Sequence, residues 1–144
     1  MTTAVADDFG FYAILTSPLR GYEYCTRLMV DNGIAFVQLR AKNEPVAERE
    51  RIAQKMRAIT AGSDTRFIVN DDPVCAKKVG ADGVHLGQTD MPLEQARRIV
   101  GERAIIGLST HTPQQTAAAC ACRPDYIGVG PVYATPTKKE PDTP

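Results

Sequence analysis

Asp71 and Asp90 are two carboxylates placed where they could act together. Each follows a short apolar run. Arg66-Phe-Ile-Val-Asn70 precedes Asp71, and Val84 to Leu86 lies inside Gly80-Ala-Asp-Gly-Val-His-Leu-Gly-Gln-Thr-Asp90. Carboxylates at neighbouring strand ends could share one hard cation. Magnesium commonly takes a carboxylate or two and completes its shell with water and phosphate oxygens. Arg40, Lys42 and Lys138 add positive groups. A magnesium ion with several cations is the composition of a pyrophosphate clamp. Asp71 also stands just before Pro73, where an N-cap or turn role is the commoner use of a lone aspartate. His85, between Val84 and Leu86, reads equally as a structural or a catalytic histidine, and His111 as a residue of a capping region or rim.

The elements that must position these groups alternate. Apolar runs at 11–16, 35–40, 66–70, 83–87, 104–109 and 126–130 read as strands. Helical spacing, Gly33 and Gly80 as stops and Pro92 and Pro113 near starts predict helices over 22–32, 46–61, 73–79, 93–100 and 113–121. The strands are continuous rather than alternating in hydropathy, which implies a parallel sheet covered on both faces. A doubly wound sheet and a β/α barrel both fit, and the short uniform units favour the barrel. All strand C-termini then open on one face. That face receives Thr16; Gln38, Arg40 and Lys42; Asn70 and Asp71; Gln88 and Asp90; Ser109, Thr110 and His111; and Thr135, Thr137 and Lys138. Gly128 and Gly130 would let a ligand approach the backbone closely.

Composition narrows the class. The 17 basic and 17 acidic residues cancel, which argues against nucleic acid as a partner. No run is long and apolar enough for a membrane span. Residues 1–10 are polar and acidic, unlike a signal peptide, so a cytoplasmic protein is expected. Cys25, Cys75, Cys120 and Cys122 form no CxxC pair and read as reduced, mostly buried thiols.

Five segments carry a family resemblance: VQLRAK (Val37 to Lys42), FIVNDD (Phe67 to Asp72), GADGVHLGQTD, IIGLSTHT (Ile105 to Thr112) and YIGVGPVYATPTKK (Tyr126 to Lys139). In this order they resemble thiamine phosphate synthase, from about Phe11 to Lys139. The resemblance implies a TIM-type (β/α) barrel that joins hydroxymethylpyrimidine diphosphate to thiazole phosphate. Thiamine phosphate and pyrophosphate are the products, with magnesium as cofactor. It implies that Gln38, Arg40, Lys42 and Asn70 hold the pyrimidine diphosphate and that Asp71 and Asp90 are the magnesium ligands. Ser109, Thr135, Thr137 and Lys138 match contacts to the diphosphate region, with Arg40 and Lys138 the groups expected to assist its departure. A thiazole tautomerase relative shares the barrel, but proton transfer needs no pyrophosphate clamp.

A barrel of this type has eight strands and usually needs ~200 residues or more. About six of the eight β/α units are expected within 11–144, preceded by the polar segment 1–10. The remaining units, which would grip the thiazole phosphate, are expected to be missing. The isolated chain is then expected to bind magnesium and pyrophosphate weakly, with little synthase activity, or to be one part of a split barrel. Unpaired first and sixth strands would favour homo-oligomers.

Overall fold

A computed structural model describes residues 9–133. Six strands alternate with five helices: β1 (Tyr12–Leu15), α1 (Tyr22–Asp31), β2 (Phe36–Leu39), α2 (Val46–Thr60), β3 (Arg66–Asn70), α3 (Pro73–Val79), β4 (Gly83–Leu86), α4 (Leu93–Val100), β5 (Ile105–Thr110), α5 (Pro113–Ala121) and β6 (Tyr126–Val129). The strands form one parallel sheet in the order β1-β2-β3-β4-β5-β6. Sequential order distinguishes it from a doubly wound sheet, whose order reverses. The sheet curls into part of a TIM-type barrel.

Alternation along each strand splits the core. Val37, Leu39, Phe67, Val69, Val84, Leu86 and Ile106 face outward onto Ile52, Ala53 and Met56 of α2, Cys75 and Ala76 of α3, and Ala96 of α4. Phe36, Ile68 and Ile105 face the concave side, with Phe9, Tyr12 and Tyr126 packed on them. Continuous burial holds for β2, but β1 and β6 expose Ile14 and Val129. The cysteines also depart from expectation. Cys75 is buried, whereas Cys120 and Cys122 are exposed at the end of α5.

An aspartate device occurs twice at the strand N-termini. Asp82, just before β4, donates its N–H to the Phe67 carbonyl (2.9 Å) and accepts the Phe67 N–H on Oδ2 (2.8 Å). Asp125, just before β6, treats Ile106 identically, at 2.9 and 2.8 Å. Each carboxylate therefore satisfies a backbone donor that the parallel ladder leaves over, and fixes register with it. Gly83 follows the first device because a Cβ there would sit 2.1 Å from the Ile105 carbonyl oxygen. Gly83→Ala is expected to cost about 1–3 kcal/mol through overpacking against backbone that cannot yield. A lower urea midpoint with an unchanged m-value would register that loss.

Candidate active site at the strand C-termini

The concave face has an aromatic floor and a polar wall. Phe9 stacks on Phe36 with ring centroids 4.5 Å apart, and Tyr12 stacks on Phe36 at 5.3 Å. Tyr126 reaches from β6 to within 5.7 Å of Tyr12 on β1. Gly107 makes room for it, since a Cβ there would lie 2.1 Å from Tyr126 Cζ. Above the floor a chain of hydrogen bonds crosses the face. Gln38 Nε2 donates to the Tyr12 hydroxyl (2.8 Å), which bonds the Tyr126 hydroxyl (2.8 Å). The latter bonds His85 Nδ1 (2.9 Å), and His85 Nε2 bonds Ser109 Oγ (2.8 Å). Burial pushes the Tyr12 phenol up to about 12 and raises that of Tyr126 as well, so both keep their protons. Tyr12, Gln38, His85, Ser109 and Tyr126 line an open cavity of about 390 Å³.

A second cavity, of about 300 Å³, lies among Ala41, Lys42, Arg49, Asn70, Asp71 and Asp72. Asp71 has φ +63°, a left-handed conformation uncommon outside glycine. Its N–H is held by the His85 carbonyl (2.8 Å) and its carboxylate by Lys42 (2.8 Å). The N-cap of α3 is the next residue, Asp72, which accepts the Cys75 N–H and pairs with Arg49, both at 2.8 Å. That separation frees Asp71 from capping. Asp90 accepts the Gly87 N–H at 2.6 Å and meets Asp71. Burial, then the hydrogen bond and charge of Asp71, raise the Asp90 carboxyl above its ordinary range; the Gly87 N–H and Lys42 oppose this. Two carboxylates in contact, one of them Asp90 with its raised carboxyl, form an oxygen donor set that a hard divalent cation would relieve, so these residues fit magnesium.

The residues expected at the site thus fall into two neighbouring groups. Gln38 and Ser109 line the aromatic cavity; Lys42, Asn70 and Asp71 line the acidic one, with Asp90 against Asp71. Asn70 and His85 are register partners on β3 and β4, which ties the two together. Arg40 is half-buried just past β2. Thr135, Thr137 and Lys138 lie outside the described residues, as do residues 1–8. His111 is a rim residue: its N–H meets Gln115 Oε1 (2.8 Å) and its Nδ1 lies 2.5 Å from the Gly130 carbonyl. Tyr12, Tyr126 and Phe9 were not anticipated. Inward alternation of Tyr12 with Ile14, and of Tyr126 with Gly128, was the available signal.

The sequentially ordered parallel sheet, with its polar groups gathered at the C-terminal mouth, defines a β/α-barrel protein. The Thiamine monophosphate synthase family model matches residues 12–144, and the chain belongs to that family. It is 44% identical over 135 residues to a thiamine-phosphate synthase of Pelotomaculum thermopropionicum, covering 94% of this chain and 62% of that protein. It is 50% identical over 107 residues to one of Gloeobacter violaceus, covering 74% and 31% respectively. A solved thiamine phosphate pyrophosphorylase from Pyrococcus furiosus superposes with a TM-score of 0.82 at 33% identity, over 90% of this chain and 63% of that one. The chain therefore spans less than two thirds of the length of each of these relatives.

Proposed function

We propose that this chain carries the pyrimidine-diphosphate and magnesium half of a thiamine phosphate synthase site. The observation that carries the reading is the Asp71–Asp90 pair, braced by Lys42 and joined through the Asn70–His85 register to an aromatic-floored cavity. The flat apolar floor suits a planar heterocycle, and the charged end suits a diphosphate. In the reaction the bond from the pyrimidine methylene carbon to the diphosphate oxygen breaks. Pyrophosphate leaves with the electron pair, and the thiazole nitrogen forms the new bond to carbon. Lys42 and Arg40 would neutralise charge growing on the leaving group, an interaction stronger in the transition state than before it. Asp71 and Asp90 would hold magnesium, which supplies further charge neutralisation when bound. Gln38 and Asn70 would orient the pyrimidine diphosphate, and Ser109, with Thr135, Thr137 and Lys138, would bond the diphosphate.

The tautomerase alternative lacks comparable support, since the compared relatives bear synthase names. Among the described residues no helix is long and apolar enough to cross a membrane. The outer edges of β1 and β6 would suit pairing with a second copy, which sedimentation would report as a dimer.

Calorimetry with inorganic pyrophosphate tests the site itself. Binding is expected only when magnesium is present, and Lys42→Ala is expected to weaken it about tenfold or more, the worth of one charge-assisted contact. Equal binding with and without magnesium, or an unaffected Lys42→Ala variant, would overturn the assignment.

A further inference from the structure

We propose that Gln38 fixes the direction of the relay running through Tyr12, Tyr126 and His85 to Ser109, so that neutral His85 is held as its Nε2–H tautomer and the Ser109 hydroxyl proton is left for a bound anion. Nothing in the family assignment requires this. It follows from counting protons along the bonds. The Gln38 Nε2 can only donate, so the Tyr12 hydroxyl accepts from it. Tyr12 has a single proton, and passing it to Tyr126 is the arrangement that leaves no phenol donor of the relay unsatisfied. Tyr126 in turn spends its proton on His85 Nδ1, which must be the unprotonated ring nitrogen. The ring proton is therefore on Nε2 and points at Ser109 Oγ. Ser109 receives a proton rather than giving one, and its own hydroxyl hydrogen turns to the cavity it lines.

The direction is enforced because both phenols stay protonated and because Gln38 is buried (2% exposed), where an unmatched amide would be costly. Gln88 Nε2 adds a bond to the Ser109 carbonyl (2.6 Å), holding the end of the relay in place. Toward the anion, Gln38, Tyr12, Tyr126 and His85 are positioning residues and Ser109 is the contact; the orienting role proposed for Gln38 concerns the pyrimidine, which inorganic pyrophosphate lacks. The anion's identity as a diphosphate rests on the proposed synthase reading; the tautomer does not.

The chain has two histidines, so nitrogen-15 NMR of histidine-labelled protein resolves them, with His111→Gln assigning the second. At about pH 8, where an ordinary imidazole is neutral, His85 is expected to show an unprotonated Nδ1 and a protonated Nε2. Gln38→Glu reverses the relay, because a carboxylate only accepts. Tyr12 then donates to Glu, Tyr126 to Tyr12, His85 Nδ1–H to Tyr126, and Ser109 to Nε2. The tautomer is expected to switch, and magnesium-pyrophosphate binding to fall about tenfold, since Ser109 no longer donates outward. Tyr126→Phe disconnects Gln38, so in that background Gln38→Glu is expected to leave the tautomer unchanged. A protonated Nδ1 in the wild-type protein, or an unswitched tautomer in Gln38→Glu, would overturn the relay. The wild-type measurement decides the matter even if the variant does not fold. The expected tautomer with no pyrophosphate binding would support the relay and overturn the synthase reading.

Discussion

Asp90→Asn is expected to raise the thermal stability of the metal-free protein and to remove most of its magnesium response. Both effects come from one geometry. Asp90 is partly buried against Asp71, and its raised carboxyl pKa records an unfavourable ionised state. Asparagine keeps an acceptor for the Gly87 N–H while removing a charge that Asp71 repels. The sign is fixed by linkage. A carboxyl that titrates higher folded than unfolded contributes stability that is fully present below its unfolded pKa. That contribution is lost as pH rises through the folded pKa. The stability advantage of Asp90→Asn over wild type should therefore be absent in acid and appear once Asp90 ionises. On the proposed reading magnesium would compete with the same proton, so wild-type affinity for it should rise with pH across this window, with proton release on binding. Loss of the ligand should weaken magnesium at least about tenfold to hundredfold, the loss typical of removing even a partner that touches only the ligands. Thermal melts and calorimetry at several pH values, with and without magnesium, check both halves. A variant less stable than wild type at neutral pH, or one with unchanged magnesium affinity, would contradict the shared geometry.

What the sequence made legible, and what it did not, divides along a physical line. Strand and helix order was readable because parallel strands are apolar on both faces and the helix ends carry local signals. Gly80, for example, adopts the left-handed C-cap, and Thr112 with Pro113 opens α5. The acidic pair was readable because strand ends all point one way in a β/α repeat. The capping role was harder to place by one residue. Asp71 and Asp72 both precede Pro73, and only the backbone shows that Asp72 caps while Asp71 turns away at positive φ. The aromatic floor was least legible. Tyr12 and Tyr126 stand 114 residues apart, and their hydroxyl contact exists only because the sheet curls. Periodicity tells which face of a strand a residue takes, but not what that face will meet.

Asp125→Ala is expected to have the largest effect on stability of any change at the strand N-termini, about 3–5 kcal/mol. The carboxylate serves two buried partners at once. Its Oδ2 accepts the N–H of Ile106, a fully buried residue, and pairs with an Arg97 guanidinium nitrogen at 2.9 Å. Arg97 is itself only 16% exposed and turns its other nitrogen onto the carbonyls of Gly101 and Ala104. Removing one member of a buried pair leaves the other charge uncompensated, which accounts for the magnitude, and orphans a backbone donor besides. The matching device at Asp82 supplies the control. Its flanking arginines, Arg57 and Arg66, stand 3.9 and 4.0 Å away and are more exposed, at 33% and 46%. Asp82→Ala should therefore cost only about 1–3 kcal/mol, chiefly for the unsatisfied Phe67 N–H. Asp125→Asn should fall between, because the amide oxygen keeps the Ile106 contact but not the charge. Urea unfolding of the three variants orders them. If Asp82→Ala proved as damaging as Asp125→Ala, the N–H bond common to both devices would govern the loss, and the buried Arg97 pair would contribute little.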